Sequence, residues 1–516
     1  MARSFVVPTF ACVLVLGCAD SGDPLADAAD EVGSESDSSS DDASSDDSSG
    51  ESSDSGDETG VADCTAIGPW NSGFAIPKQP QAPGDPEAGR IALFSEDYVA
   101  CGIPWELFGL AKNAMGSMGE GEMLAWREGK NAQVPYSWTV SAAPDGSEFV
   151  SPNCLQCHGG EFNGELIIGL GRHDIDMTTD MGTLLSVVPT LPALTDAAAL
   201  MNKFVDRYAA IGPWSTMRTV GTNSAIMYAV ALVNHRNPYT LEWLDEPTQP
   251  LPEGIVIAAD APPWWRVGKK AAQFANGMSR GDHRGTMILA SSLCTDSAAE
   301  AASIMGYFAD INAYLATLEP PSYPFPIDEV LAEQGAAIFE CECSGCHGTY
   351  DADPANETYP SLLLPLAVIG TDAVMAGYAA GQFNYLETWF NESYYGTVTT
   401  VATEDPFVGY VAPPLDGIWA TAPYFHNGSV PSIELVLDSS ERPTYWARTD
   451  YDSTHYDTEA LGWPWLAAQS QADTPAAQRK YVYDTTIISH SKGGHTFGDS
   501  LSEADRKAVL EYLKTL

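Results

Sequence analysis

Two Cys-x-x-Cys-His runs constrain this chain more than any other feature: Cys154-Leu155-Gln156-Cys157-His158 and Cys343-Ser344-Gly345-Cys346-His347. On a helical turn, residues i, i+3 and i+4 share one face. Two thiols and an imidazole on one face can hold a haem, with both sulfurs on its vinyl groups and the ring under the iron. With ten Cys and nine His in 516 positions, chance gives roughly 0.003 such runs per chain. Two covalent haem c groups are therefore expected, on Cys154 and Cys157 and on Cys343 and Cys346, with His158 and His347 as iron ligands. The second nitrogen of each ring is expected to donate to a carbonyl, which fixes its tautomer. The rival is zinc held by Cys341, Cys343, Cys346 and His347, but the first run has no third thiolate beside it.

The N-terminus reads as an export signal. Arg3 precedes an apolar run from Phe5 to Leu16, too short to span a bilayer. It ends Leu16-Gly17-Cys18, which resembles the lipobox of bacterial lipoproteins. The resemblance implies a signal over 1–17 and a lipid on Cys18, anchoring the exported protein to the cell envelope. An ordinary signal with an incidental cysteine is the other reading. From Asp20 to Asp63 there are sixteen acidic residues and no Lys or Arg. Such a segment cannot bury enough surface to fold, so 18–66 is expected to be a disordered tether reaching roughly 150 Å at about 3.4 Å per residue. Without Arg3 and those acids the rest keeps 23 basic against 54 acidic residues, a net −31. That charge disfavours nucleic acid and anionic lipid as partners and leaves room for a small basic redox protein.

With Cys12 leaving in the signal, Cys64, Cys101, Cys294 and Cys341 remain, an even number suited to two disulfides in an oxidising compartment, in any of three connectivities. Ile327, Val330, Leu331 and Ile338 trace a helical stripe ending at Phe339, with Gly335 a close-contact position. Ser502 can cap a last helix with Val509, Leu510, Leu513 and Leu516 on its apolar face. Three short matches carry no weight: Gly498-Asp499-Ser500-Leu501, Arg280-Gly281-Asp282 and Gly169-Leu170-Gly171 all lack the context their motifs require.

A haem held on both sides passes electrons, whereas one with an open side binds oxygen or peroxide. His173, His235, His283, His426 and His495 are candidate distal ligands or pocket groups; His455 and His490 lie in polar sequence and are expected to be solvated. The stretches 153–171 (NCLQCHGGEFNGELIIGLG), 262–282 (PPWWRVGKKAAQFANGMSRGD), 369–372 (IGTD), 409–431 (GYVAPPLDGIWATAPYFHNGSVP) and 492–516 resemble the polyisoprene-cleaving rubber oxygenases. Those are dihaem cytochromes within the bacterial cytochrome c peroxidase-like superfamily. The resemblance implies that His495 closes the C-terminal haem and that His426 belongs to the shared pocket. It also implies that Trp264 and Trp265 lie near the haems, where an aromatic ring could relay electrons or simply pack in the core. For the N-terminal haem it implies an open iron. The chain departs from that family in being shorter and in carrying a tether.

The expected fold is mainly α: two cytochrome c-like domains, 67–325 and 326–516, with extensive irregular loops. The expected function is a haem-dependent oxidoreductase. Dioxygen would be used at the N-terminal haem to oxidise or cleave a hydrophobic, isoprenoid-like small molecule or polymer, while the C-terminal haem stores or transfers electrons. Reduction of hydrogen peroxide with electrons from a partner protein is a second possibility. A non-catalytic electron carrier is a third.

Overall fold

The computed structural model describes residues 68–186, 190–192, 194–251 and 254–516. The expected signal, the tether, Cys18 and Cys64 lie outside the described residues.

A helix stopped against another helix at a glycine occurs once near the start of each half of the chain. Asp85 caps Pro86–Ser95 by accepting from the Glu87 and Ala88 amides, and Pro86 occupies the first turn, where its missing N–H is not needed. Gly89, Ala92, Leu93 and Phe94 face inward against Ala298–Leu315. A Cβ on Gly89 would stand 1.9 Å from the Asp310 carbonyl oxygen, so only glycine permits this approach. In the second half, Asp328 caps Glu329–Glu342, which packs on Glu503–Leu513. A Cβ on Gly335 would likewise stand 1.9 Å from the Ala508 carbonyl oxygen. The last helix starts at a capping box between Ser502 and Asp505 and buries Ala508, Val509, Leu510 and Leu513. Val509, Leu510 and Leu513 each contribute about 1.5–3 kcal/mol by leaving water. The first of these helices does not bury the stripe expected for it. Its inward face is Ala332, Gly335 and Phe339, and Val330 is 69% exposed, because the glycine crossing sets which side faces the partner.

The fold is not mainly α. Among the described residues helix accounts for 38% and strand for 13%, in five small sheets, which makes the fold mixed α/β. Most of these strands have two to four residues, too few for the alternation that identifies a strand in sequence. They formed part of what the sequence presented as irregular loop. One hairpin follows the first motif directly, with Gly159–Phe162 antiparallel to Glu165–Ile168 and Gly159 opposite Ile168. Strands from either side of residue 325 share sheets: Phe74–Ala75 pairs with Leu362–Pro365, and Ser279–Gly281 with Thr399–Val401. Cys101 and Cys294 form a disulfide across 193 residues. Cys341 is also disulfide-bonded.

Candidate functional site

Polar groups hold the first motif by its backbone. Asn153 accepts from the Leu155 amide at 3.0 Å and donates to the Tyr136 carbonyl at 2.9 Å. The Tyr98 hydroxyl takes the Cys154 amide at 3.2 Å, and Gln156 donates to the Met118 carbonyl at 3.1 Å. Behind His158, its carbonyl accepts from the Gly169 amide at 2.8 Å, and the Gly169 carbonyl accepts from the Trp264 amide at 2.9 Å. That ladder sets the Trp264 indole against the imidazole, stacked at 4.3 Å and 19°. Burial pushes His158 down to about 3, with Lys270 adding to the effect and the Pro262 carbonyl a smaller opposing influence. The ring is therefore neutral at working pH, with a lone pair free to bind a metal.

The second motif runs straight on from Glu329–Glu342 into Ser344–His347. His347 Nδ1 donates to the Pro413 carbonyl at 2.8 Å, which leaves Nε2 as the nitrogen with the lone pair. Its ring faces that of His495, centre to centre 6.2 Å. Two imidazoles on opposite sides of one metal have ring centres about 6.2 Å apart, given a metal–nitrogen bond of about 2.0 Å and roughly 1.1 Å from nitrogen to ring centre. The pair thus stands at the separation of two axial ligands.

His495 is held there by its backbone. It takes a left-handed conformation, φ +46°, with its amide donating to the Ile369 carbonyl at 2.7 Å. Gly494 before it also has positive φ, and a Cβ there would lie 2.0 Å from the Gly370 carbonyl carbon. Arg442 then clamps the segment. It donates to the carbonyls of Lys492 at 3.0 Å, Gly494 at 2.6 Å and His495 at 3.0 Å, and to those of Leu435 and Val436 at 2.8 and 2.9 Å. Neither Arg442 nor the Pro413 carbonyl was identifiable from sequence, since a lone Arg among loop residues carries no signal.

The four motif cysteines are free. Burial pushes Cys154, Cys157 and Cys346 up to about 11 and Cys343 up to about 12, so they are neutral thiols. His495 Nδ1 is sealed from solvent without a protein partner, which costs about 1–3 kcal/mol unless a bound group compensates. Free thiol pairs, a tautomer fixed by a carbonyl and an imidazole pair at axial spacing fit covalently attached haem. The zinc set is not available, because the Cys341 sulfur is committed to a disulfide.

Trp264 and Trp265 connect the two motifs. Trp264 stacks on His158, while Trp265 is buried and donates from Nε1 to the Asp416 carbonyl at 2.6 Å. Asp416 lies three residues past Pro413, the hydrogen-bond partner of His347. His426 stacks on Tyr410 at 4.1 Å and 20°, with Nε2 sealed and unpartnered. Burial pushes it down to about 3. Its ring touches neither motif histidine among the described residues.

The other histidines divide clearly. His173 cannot be a ligand, since Nε2 donates to the Glu161 carbonyl at 3.0 Å and Nδ1 accepts from Arg448 at 2.7 Å. His235 donates to the Leu244 carbonyl at 2.8 Å and stacks on Trp243. His283 is buried with Nε2 unpartnered. His455 is exposed beside Asp450, as expected. His490 is not solvated: it is fully buried and donates to the Ile488 carbonyl at 2.9 Å, because the segment around it folds under the Asn427 loop. Among the described residues, no second histidine ring faces His158 as His495 faces His347.

A family model described as "RoxA-like, cytochrome c-like" matches residues 409–447, the segment that contains Pro413, Asp416, His426 and Arg442. Two proteins of Sinorhizobium fredii (strain NBRC 101917 / NGR234), y4iM and y4iJ, both described as uncharacterized, are each 29% identical to this chain. The match to y4iM covers 39% of this chain and 52% of that protein; the match to y4iJ covers 39% and 41%. The chain thus spans about half or less of the curated relatives it matches. The family match supports a RoxA-like cytochrome c relationship, and with it covalently bound haem c and a haem-based redox function.

Proposed function

We propose that this chain is an exported dihaem c-type redox enzyme, with an open N-terminal haem on Cys154, Cys157 and His158. The second haem, on Cys343, Cys346 and His347, is closed by His495. The observation that carries this is the contrast between the motifs: His347 has a facing imidazole at 6.2 Å, and His158 has an indole stacked beside it. The repeated helix crossing, at Gly89 and at Gly335, supports one haem unit in each half.

An open haem iron supplies the capacity to bind dioxygen or peroxide and exchange electrons with it. The chain supplies the rest. Burial keeps His158 neutral and able to bind metal. The His347–Pro413 hydrogen bond and the Arg442 clamp orient the two imidazoles of the closed site. Trp264 stacks on His158, and Trp265, next along the chain, donates to the carbonyl of Asp416, three residues past the Pro413 that holds His347. The substrate class we favour is a hydrophobic, isoprenoid-like molecule oxidised with dioxygen, with Cys18 as a lipid anchor to the outer membrane and the acidic tether as a spacer.

Carbon monoxide titration of the reduced holoprotein tests this. One carbon monoxide per two haems is expected. None would make the chain an electron carrier, and oxygen uptake with polyisoprene against peroxide turnover with a reduced cytochrome separates the two enzymatic readings.

A further inference from the structure

Lys270 is a half-buried cation without a carboxylate of its own. Its ammonium donates to the Pro263 carbonyl at 2.9 Å. The residues flanking Pro263 both engage His158: the Pro262 carbonyl acts on the imidazole and the Trp264 ring stacks on it. The lysine head group and the proximal imidazole therefore both engage the segment 262–264, and His158 and His283 both sense the lysine's charge. The carboxylate that acts on Lys270 is Asp416, which is already gripped by Lys269 at 2.6 Å and Arg266 at 3.3 Å.

A carboxylate hydrogen-bonded behind a metal-bound imidazole makes it a stronger donor and stabilises the more oxidised metal. Here the sign is reversed. The charged group acting on His158 is positive, and the acceptor beside the ring is the neutral Pro262 carbonyl rather than a carboxylate. Burial pushes the Lys270 ammonium down to about 8, which leaves it charged at neutral pH, and a positive charge in a poorly hydrated site opposes ferric iron more than ferrous.

We propose that Lys270 is a positioning residue for the redox state of the N-terminal haem, holding its iron toward the ferrous form that takes up dioxygen. The proposal rests on the dihaem reading above. The equilibrium it biases is one electron added to ferric iron, supplied in the test by a mediator-coupled electrode.

The test is spectroelectrochemical titration of the full-length holoprotein, after its porphyrin count has been checked. Lys270→Met should lower the ferrous-to-ferric ratio of the N-terminal haem at least tenfold at fixed potential, a shift of about 59 mV for one electron. The C-terminal haem of the same molecule should not move, and Lys270→Arg should restore the N-terminal value. An unchanged N-terminal haem in Lys270→Met, or an equal shift of both haems, overturns the proposal while leaving two porphyrins per chain intact. A count of fewer than two fails the dihaem reading first.

Discussion

Replacing Arg442 with methionine should loosen the closed haem site and leave the chain folded. Arg442 is 4% exposed and donates to five carbonyls, those of Leu435, Val436, Lys492, Gly494 and His495. A hydrogen bond from a charged donor contributes about 1.5–3 kcal/mol net. The simple sum overstates the loss, because some carbonyls recruit water and the desolvation of the guanidinium is recovered. A destabilisation of about 3–5 kcal/mol is expected, within the 5–15 kcal/mol of a typical fold. The effect should concentrate on His495, whose strained left-handed backbone depends on this clamp. Urea unfolding should show the lost stability, and carbon monoxide binding should rise from one toward two per chain as His495 detaches. Arg442→Lys should recover only part of each, since an ammonium cannot span five acceptors. If Arg442→Met keeps one carbon monoxide per chain and wild-type stability, the clamp does not hold the distal ligand.

Three other outcomes follow from the packing and charge. Gly335→Ala should cost about 1–3 kcal/mol by overpacking despite alanine's better helix propensity, because its Cβ would meet the Ala508 carbonyl; Gly306→Ala, with open space around it, is the control in the same urea assay. Replacing Cys101 and Cys294 together by serine should cost about 5 kcal/mol on the chain-entropy account of a long loop, read as a lower midpoint than wild type under non-reducing conditions. Burial works to raise the Asp296 carboxyl, but Lys203 and Arg207 outweigh it and hold it below the usual carboxylate range. Its stabilisation is therefore present above the unfolded value of about 3.9 and lost as pH falls through the folded one. Asp296→Asn should flatten the stability profile below about pH 4, and an unchanged acid limb would refute this assignment.

Local rules with strong chemistry were legible in the sequence. The two motifs, the Ser502 cap and the close contact at Gly335 follow from residue type and spacing, and the structure has them. What sequence could not supply came from pairing at a distance. Strands of two to four residues are defined by partners such as Leu362–Pro365 for Phe74–Ala75, so a chain rich in them reads as loop. Polar sequence around His490 misleads for the same reason: Asn427, more than sixty residues away, donates to the carbonyls of Ser489 and Ser491 on either side of it. His173 looked free in sequence, and only the arrival of Arg448 at 2.7 Å occupies its second nitrogen.

The denaturing mass of periplasmically matured protein puts the whole account at risk in one experiment. Two covalent haem additions per chain are expected, falling to one when Cys343 and Cys346 are both replaced by serine. A folded chain with the bare polypeptide mass would contradict it.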